Sequence, residues 1–317
     1  MNTNTSMNKK RVIGIVGPTA SGKTALSLPV AQRLGGHILC MDSMQIYRGM
    51  DIGTAKPTKE EQALVPHHLL DILPPDAEYA VSRYAQDAAQ VIGQVDVPIL
   101  VGGTGMYLQS LSLPMDYGAV GSDEGIRKKY HDMADAEGPE AVHRRLMEID
   151  SASAQRLHPN DLRRVIRAIE VYELTGTPLS EQKMPTVQDA PYDFHLYAVD
   201  MPRDMLYSRI DKRVDQMIRD GLLDEVQALL DAGLSPNAQS MQGLGYKEML
   251  PVLRGEMALS DAAALIRLRT RHFAKRQLTW FRRDERIRWL PVDLVQSGKA
   301  CDMICERYLG GDSNELI

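Results

Sequence analysis

The chain has 317 residues, enough to bury a full core as one large domain or two modest ones. Its residues are 44% hydrophobic and 25% charged, its net charge is −5, and no apolar run reaches membrane-span length, which predicts a globular protein and excludes a membrane-spanning one. Cys40, Cys301 and Cys305 form no C-x-x-C pair and no signal-peptide pattern opens the chain. We therefore expect a soluble, reduced, cytoplasmic protein without a zinc site or a disulfide.

The first predicted elements are a buried strand at 12–16 and a helix at 23–34, joined by the segment GPTASGKT at 17–24. This segment, the phosphate loop below, matches the pattern G-x-x-x-x-G-K-[ST]. Its glycines let backbone N–H groups converge on an anion, Lys23 adds a cation, and Thr24 offers a hydroxyl to Mg²⁺. The loop predicts binding of a di- or triphosphate with Mg²⁺, but it does not say which bond breaks.

Asp42 is the next candidate functional residue, because it ends a second predicted strand at 37–41. It could hold Mg²⁺ as a Walker-B carboxylate, act as a base facing the phosphate, or simply belong to a strand-end turn. The carboxyl ends of strands in such sheets open on one crevice, so we expect Asp42 to lie near Lys23.

An ordered loop at 42–57, here called the substrate loop, is expected to carry substrate contacts. Helical spacing then runs through 79–95, and a third buried strand is predicted at 97–101. That strand leads into the sequence GGTG at 102–105, the second glycine loop, at the same end of the sheet. Beside a phosphate loop, it suggests the second wall of one crevice.

Residues 122–185 are predicted to be helical throughout. In this segment Asn160 is expected to cap a helix at 161–175, with Val165, Ile169 and Tyr172 on its apolar stripe. Three arginines lie off that stripe: Arg163, Arg164 and Arg167. We predict an α/β fold with a P-loop NTPase-like core (1–121 and 186–317), a parallel sheet flanked by helices, and an all-helical insertion that acts as a lid or a nucleic-acid arm.

The chain then returns to a strand at 194–199 and a long helix from about Arg203, closed by Gly221. Two arginines one turn apart, Arg209 and Arg213, lie beside the buried stripe of this helix. Spacing alone favours surface pairs with the neighbouring Asp211 and Asp215. A last strand is predicted at 286–292.

A basic segment at 267–288 contains nine Lys or Arg residues against two acids. We assign its charge to contact with a phosphate backbone rather than to a solvated face. Its aromatic residues are expected to anchor the helix in the core rather than to stack on bases: Phe273, Trp280 and Phe281. His67 and His68 are expected to be structural, because no third metal ligand is spaced nearby.

Several motifs together resemble the bacterial tRNA dimethylallyltransferases, also called tRNA isopentenyltransferases. They are GPTASGKT, DSMQIYRGMDIGTAKP (42–57), VPHHLLDI (65–72), GGTGMY (102–107), SRIDKRVDQM (208–217), MQGLGYKE (241–248) and RHFAKRQLTWFRR (271–283). Their order and spacing cover roughly residues 11 to 290. Met106 and His272 replace the leucine and tyrosine common in the family, and the zinc finger of eukaryotic relatives is absent.

The resemblance implies transfer of a dimethylallyl group from dimethylallyl diphosphate to the exocyclic N6 amine of the adenosine 3′ of the anticodon. The diphosphate would be held by residues 17–24: Gly17, Pro18, Thr19, Ala20, Ser21, Gly22, Lys23 and Thr24. By the same resemblance, Asp42 accepts the amine proton, Thr24 contacts the metal, and Arg213 stabilises the leaving diphosphate. This role for Arg213 reverses the preference from spacing alone.

The resemblance also implies contacts with the anticodon stem-loop of tRNA, from which the target base must be flipped. They would come from Asp42, Ser43, Met44, Gln45, Thr104, Arg127, Arg163, Arg164, Arg167, Gln242, Gly243, Leu244, Gly245, Tyr246 and Lys247, together with the basic segment. Two alternatives stay open: a transferase that prenylates free adenylate, and an RNA-binding P-loop kinase or NTPase. We expect a monomer.

Overall fold

The computed structural model describes residues 9–113, 121–182 and 189–310. The chain divides into two compact units, one formed by the residues up to Ser112 and from Ala190, the other by Leu113–Asp189. Among the described residues, no helix is both long and apolar enough to cross a membrane.

The first unit is built on one six-stranded sheet. Its strands are β1 (Arg11–Val16), β2 (His37–Cys40), β3 (His67–His68), β4 (Pro98–Gly102), β5 (Asp193–Asp200) and β6 (Arg288–Pro291). They lie in the order β3-β2-β4-β1-β5-β6, and all neighbouring pairs are parallel. The parallel sheet of the predicted fold class is therefore confirmed, and it places the segments after β1, β2 and β4 at one edge.

Helices cover the sheet in the first unit. They are α1 (Lys23–Leu34), α2 (Lys59–Leu64), α3 (Val81–Gln94), α4 (Gly105–Ser112), α9 (Arg203–Arg219), α10 (Leu222–Asp231), α11 (Tyr246–Leu253), α12 (Leu259–Phe281), α13 (Val292–Gln296) and α14 (Lys299–Gly310). Alternate residues of β1 face two separate apolar clusters: Val12 and Val16 join one, and Ile13 and Ile15 join the other. Burial on both faces explains why these strands are continuously apolar rather than alternating.

The described part of the second unit contains α5 (Glu124–Glu137), α6 (Pro139–Ile149), α7 (Ser151–Arg156) and α8 (Leu162–Thr175). Tyr130, Leu146 and Val165 lie in its apolar core. The expected cap at Asn160 is wrong: Asp161 occupies the N-cap position, and its side chain makes no capping hydrogen bond.

The end of α9 differs from the sequence-based expectation. Gly221 does not close α9, because that helix ends at Arg219. Gly221 has a φ of 96° and instead precedes the first residue of α10.

The second glycine loop opens directly into α4, a helix that was not predicted from the sequence. Consequently this loop lies at a helix N-terminus, as the phosphate loop does.

Candidate active site

The phosphate loop leaves β1 at Val16 and enters α1 at Lys23. Gly17, Ala20 and Gly22 all have positive φ, at 127°, 63° and 98°. Such angles turn successive N–H groups toward one side of the backbone, as anion binding requires. Ala20 is not a glycine, so this conformation is strained, and strain of this kind concentrates at functional sites.

Lys23 lies folded back over the phosphate loop. Its Nζ donates hydrogen bonds to the Gly17 carbonyl at 3.1 Å and the Pro18 carbonyl at 2.8 Å. Burial and, to a smaller extent, the positive charge of Arg213 together lower the pKa of Lys23 to about 8, although the charge of Asp42 opposes both effects. The ammonium is therefore held beside the loop with a charge that titrates near neutral pH.

The hydroxyl groups of the phosphate loop include one without a partner. Ser21 Oγ is buried and forms no hydrogen bond within the described residues. Thr24 lines the cavity, and among the described residues no group of three or more His, Cys, Asp or Glu residues is arranged to hold a metal ion. Such a donor set fits an ion such as Mg²⁺, which takes few protein ligands and keeps waters and phosphate oxygens.

Arg213 reaches the phosphate loop from α9. Its Nη1 donates a long hydrogen bond of 3.4 Å to Thr19 Oγ1. Burial lowers the pKa of Arg213, the charge of Arg209 lowers it further, and Asp42 opposes them.

The surface pairs favoured by spacing for the arginines of α9 are wrong. Asp211 forms an ion pair with Arg271 and Asp215 with Arg267, both on α12. Within the described part of the chain, no carboxylate lies within ion-pair distance of Arg209 or Arg213. Two guanidinium groups beside the phosphate loop therefore remain available to an anion.

Asp42 lies where β2 ends, and its Oδ1 accepts a hydrogen bond from the Met44 N–H at 2.9 Å. Ser43 N–H donates to Thr104 Oγ1 at 3.2 Å, and Thr104 N–H donates to the Met41 carbonyl at 3.2 Å. These bonds join the end of β2 to the second glycine loop. Asp42 and Thr104 consequently face one cavity with Lys23.

Close backbone approach explains the glycines of the second glycine loop. A Cβ atom on Gly102 would lie 2.0 Å from the Met41 carbonyl oxygen, and one on Gly103 would lie 2.2 Å from Gln277 Nε2. A Cβ on Gly105 would meet the Trp280 indole at 2.2 Å. Any side chain at these positions would push the cavity wall outward.

Gln277 is a site residue that sequence reasoning missed. Its Oε1 accepts a hydrogen bond from Thr19 N–H at 2.9 Å, and its Nε2 donates to the Gly103 carbonyl at 2.9 Å. The side chain is buried and thus bridges the two glycine-rich loops. Gln277 is uncharged and stands in a segment with nine basic residues, so no sequence pattern marked it as a site residue. Its role becomes visible only from its burial and its contacts in the structure.

The substrate loop is held by its own polar groups. Gln45 Nε2 donates to the carbonyls of Thr54 and Ala55 at 3.0 and 3.2 Å, and its Oε1 accepts from the Cys40 thiol. Met44 packs against Gly243, where a Cβ would lie 2.5 Å from Met44 Cε. Gln45 therefore shapes the loop, and its amide is already engaged.

Glu225 on α10 anchors the far end of the substrate loop. Its carboxylate accepts hydrogen bonds from the N–H groups of Asp51, Ile52 and Gly53 at 2.9, 2.8 and 3.1 Å. It also accepts a hydrogen bond from the Tyr246 hydroxyl at 2.6 Å. One carboxylate thus orders three consecutive backbone amides.

Segment 242–247 contributes unevenly to the cavity. Gln242, Gly243, Leu244 and Lys247 line it, and Gln242 is exposed. Tyr246 is fully buried with its hydroxyl on Glu225, and the Gly245 N–H is buried on Glu248. Tyr246 nevertheless lines the cavity, and the RNA contacts expected of Tyr246 and Gly245 stay predictions.

The cavity enclosed by these segments has a volume of about 620 Å³. The phosphate loop, the substrate loop, the second glycine loop, α9, segment 242–247 and α12 all contribute to its wall. The polar side chains directed at it include Thr19, Lys23, Thr24, Asp42, Thr104, Arg213 and Lys247. The phosphate loop and α9 supply cationic and hydroxyl groups, and the substrate loop and the second glycine loop supply Asp42 and Thr104.

The basic segment is more balanced than its sequence indicates. Five of its nine basic residues have carboxylate partners, in the pairs Arg267–Asp215, Arg269–Glu248, Arg271–Asp211, Arg282–Asp200 and Arg286–Asp284. Four of these five acids lie outside the basic segment. The net positive charge counted within the segment is therefore larger than the charge that remains unneutralised in the folded protein. Lys275, Arg276, Arg283 and Arg288 have no carboxylate partner within the described ranges and remain candidates for phosphate contacts.

The aromatic residues of the basic segment occupy different environments. Phe281 is fully buried, as expected for a core anchor. Trp280 is 37% exposed and Phe273 lines the cavity, so the core-anchor expectation is wrong for these two. Arg276 lies over the Phe273 ring, 5.7 Å from its centroid.

The arginines expected to bind RNA in the second unit divide into two groups. Arg127 and Arg167 form ion pairs with Glu170, whose side chain is 0% exposed. Arg164 pairs with Asp161 at 3.2 Å, and Arg163 is exposed. Arg127 therefore joins α5 to α8, Arg167 pairs with Glu170 within α8, and Arg163 is exposed to solvent.

His67 and His68 are engaged within the protein. His68 Nε2 lies 2.9 Å from His37 Nδ1, with the two rings stacked at 5.2 Å, and His67 Nδ1 lies 2.9 Å from the Val65 carbonyl. Burial and the neighbouring histidines lower the pKa of His68. These contacts agree with the structural role expected for the pair.

Family models and curated relatives match most of the chain. The IPP transferase model matches residues 45–284, and the isopentenyl transferase model matches residues 10–69. A tRNA dimethylallyltransferase of Pelotomaculum thermopropionicum is 49% identical over 293 residues, which cover 91% of this chain and 93% of the relative. One from Geobacter metallireducens is 46% identical over 287 residues, covering 89% and 93%.

Solved structures are similar over the same length. The full-length tRNA isopentenylpyrophosphate transferase of Bacillus halodurans has a TM-score of 0.70 and 40% identity, covering 93% of this chain and 94% of its own. A eukaryotic dimethylallyltransferase acting on tRNA has a TM-score of 0.81 and 30% identity, covering 97% and 81%.

Proposed function

The chain belongs to the IPP transferase family, and on that premise we propose that it transfers a dimethylallyl group from dimethylallyl diphosphate to the N6 amine of an adenosine in tRNA. The observation that carries the proposal is the single cavity that joins an anion-binding loop to Asp42 and Thr104. A phosphate loop alone would serve many reactions, whereas this pairing provides for a leaving diphosphate and a reacting amine together.

The donor's diphosphate lies on the phosphate loop. As the N6 nitrogen attacks C1 of the dimethylallyl group, the bond between C1 and the diphosphate oxygen breaks and negative charge collects on the leaving group. Lys23, Arg213 and the loop amides would stabilise that charge, since Lys23 and Arg213 line the cavity at the phosphate loop. Arg213 has no competing carboxylate among the described residues, which leaves its charge for the diphosphate.

Mg²⁺ is the proposed cofactor, and Thr24 with Ser21 would hold it beside the diphosphate. The bound ion would supply further neutralisation of the leaving group. The unpartnered Ser21 hydroxyl supports this assignment, because a buried hydroxyl normally has a hydrogen-bond partner.

The acceptor amine would lie beside Asp42 and Thr104 in the same cavity. Asp42 accepts its proton, since the N–H becomes acidic as nitrogen donates its electron pair to carbon. The Met44 N–H fixes the Asp42 carboxylate, and Thr104 lies across from it on the second glycine loop. Met44, Gln45 and Ser43 shape this side, with Gln45 acting through the loop it holds.

The proposed acceptor is the adenosine 3′ of the anticodon, flipped out of the stem-loop into the cavity. Exposed cations with no carboxylate partner among the described residues, chiefly Arg163, Arg276 and Lys275, would contact the RNA backbone. The enzyme would act as a monomer in the cytoplasm, where its RNA substrate is modified.

The test is incubation with labelled dimethylallyl diphosphate, Mg²⁺ and either bulk tRNA or AMP. We expect label in tRNA at the adenosine beside the anticodon and none in AMP. Label in AMP alone would assign the chain to free-nucleotide prenylation. Hydrolysis of ATP without labelling of either acceptor would reject prenyl transfer altogether.

A further inference from the structure

We propose that Gln277 is a positioning residue that sets the distance between the diphosphate-binding loop and the loop that borders the acceptor amine. This inference rests on the proposed function and concerns the same cavity. Gln277 bridges Thr19 and Gly103, and these two residues belong to the two loops between which the new C–N bond forms.

The chemistry of the bridge requires a side chain with one donor and one acceptor. Thr19 presents an N–H and Gly103 presents a carbonyl, so the side-chain oxygen must face Thr19 and the nitrogen must face Gly103. Both bonds are 2.9 Å long, and the side chain is only 6% exposed. Because the side chain is buried, loss of either bond leaves a polar group with little access to water.

Thr19 is held from two directions, which makes the bridge part of a larger frame. Its N–H binds Gln277 of α12, and its hydroxyl accepts the bond from Arg213 of α9. Helices α9 and α12 are in turn joined by the ion pairs Arg271–Asp211 and Arg267–Asp215. The arginine that meets the leaving group and the glutamine that meets the second glycine loop are thus fixed to one another.

The distance between the two loops matters because transfer needs the amine nitrogen about 3–3.5 Å from the allylic carbon. The diphosphate is fixed to one loop, and the amine is bordered by Thr104, the residue after Gly103. A displacement of about 1 Å can slow such a reaction by roughly 100-fold. Gln277 itself touches neither reacting atom, so its effect is on geometry and not on proton transfer.

The decisive variant is Gln277→Glu. Glutamate has nearly the same shape as glutamine, but it can donate a hydrogen bond only when its carboxyl group is protonated. An ionised glutamate accepts from Thr19 but repels the Gly103 carbonyl. A protonated one can donate to Gly103 and restore both bonds. We therefore expect the ratio of kcat for Gln277→Glu to kcat for the unaltered enzyme to rise as pH falls from 8.5 to 5.5, by about tenfold or more.

Gln277→Met, which fills the space with no hydrogen bond at either end, should lower kcat about 10- to 100-fold at every pH. Its dissociation constant for tRNA should stay within about twofold of the original. Thr279→Ala is the matched control, because within the described part of the chain the Thr279 hydroxyl donates only to the Lys275 carbonyl of the same helix. That control should retain kcat.

Three results would overturn the inference: a pH-independent ratio for Gln277→Glu, an unchanged kcat for Gln277→Met, or loss of kcat in Thr279→Ala. Should Gln277→Met not fold, the pH ratio of Gln277→Glu decides. The activity of the unaltered enzyme distinguishes failure of the proposed function from failure of the positioning role. If it transfers no dimethylallyl group, the proposed function fails, whereas normal transfer with unaffected variants rejects only the positioning role.

Discussion

The Tyr246 hydroxyl donates a 2.6 Å hydrogen bond to Glu225, and the same carboxylate holds the backbone of the substrate loop. Burial and the negative charge of Glu225 raise the pKa of Tyr246, so the phenol remains a donor throughout the physiological range. A Cβ on Gly53 would meet the Tyr246 ring at 2.4 Å. Segment 242–247 and the substrate loop are consequently one packed unit rather than two independent walls.

Replacing Glu225 by Gln should loosen that unit. Each carboxylate oxygen accepts two hydrogen bonds, but a glutamine offers one oxygen, and its NH₂ group would face two donors. We expect the free energy of unfolding to fall by about 1–3 kcal/mol, measured by urea denaturation. Gln227→Ala on the same helix removes only an exposed bond to Asp231 and should change stability little. Equal stability of Glu225→Gln and the parent would contradict this anchoring.

Asp42→Asn should separate proton transfer from loop structure. Asparagine keeps an oxygen for the Met44 N–H but cannot take up the amine proton. We expect kcat for transfer to fall about 10²- to 10⁴-fold, with tRNA affinity nearly unchanged. Single-turnover kinetics and filter binding measure the two quantities. A variant that transfers at the parental rate would remove Asp42 from catalysis.

Diphosphate binding should weaken as pH rises through the pKa of Lys23. This pKa is lowered from 10.5 to about 8, so the ammonium is charged below pH 8 and progressively neutral above it. If only the charged form binds, the dissociation constant of inorganic diphosphate should rise about tenfold between pH 7 and pH 9. Isothermal titration calorimetry with Mg²⁺ present would measure it.

The control for that prediction is Lys23→Arg, because a guanidinium stays charged throughout. Dividing the two dissociation constants removes the titration of diphosphate itself. Folding stability should change in the opposite sense. The native pKa lies below the unfolded one, so the contribution of Lys23 to the free energy of unfolding rises between pH 8 and 10.5. A constant ratio of dissociation constants from pH 7 to 9 would show that Lys23 does not titrate there.

The arginines of α8 should have separable effects. Arg163 is exposed, so Arg163→Ala should weaken tRNA binding and reduce its salt slope by about 1, without loss of stability. Arg167 pairs with the buried Glu170, so Arg167→Ala should lower the free energy of unfolding by about 1–2 kcal/mol. Salt titrations of tRNA affinity and urea denaturation distinguish the two. The reverse pattern would mean that Arg163 is structural and Arg167 is the RNA contact.

Local patterns were sufficient to predict much of the core. Continuous apolar runs marked β1, β2, β4 and β5 to within two residues, because strands of a parallel sheet are buried on both faces. The phosphate loop was recognisable from its sequence motif, because its backbone angles require glycine at fixed positions. The location of Asp42 followed from the shared direction of parallel strands.

Partners distant in sequence could not be predicted in this way. Spacing along α9 offered Asp211 and Asp215 to Arg209 and Arg213, yet tertiary packing gives both acids to α12, about 50 to 60 residues later. Gln277 meets Thr19 across 258 positions. Such pairings depend on how helices are placed around the sheet, which no local period encodes.

The exposed indole of Trp280, packed on Gly105, gives this protein a natural optical probe. The chain contains two tryptophans, and the second, Trp289, lies in β6. Fluorescence quenching by a small solute would therefore follow the surroundings of the second glycine loop, which borders the cavity, against a second signal from the sheet. Entry of a nucleobase could be timed with the unlabelled, unmodified polypeptide.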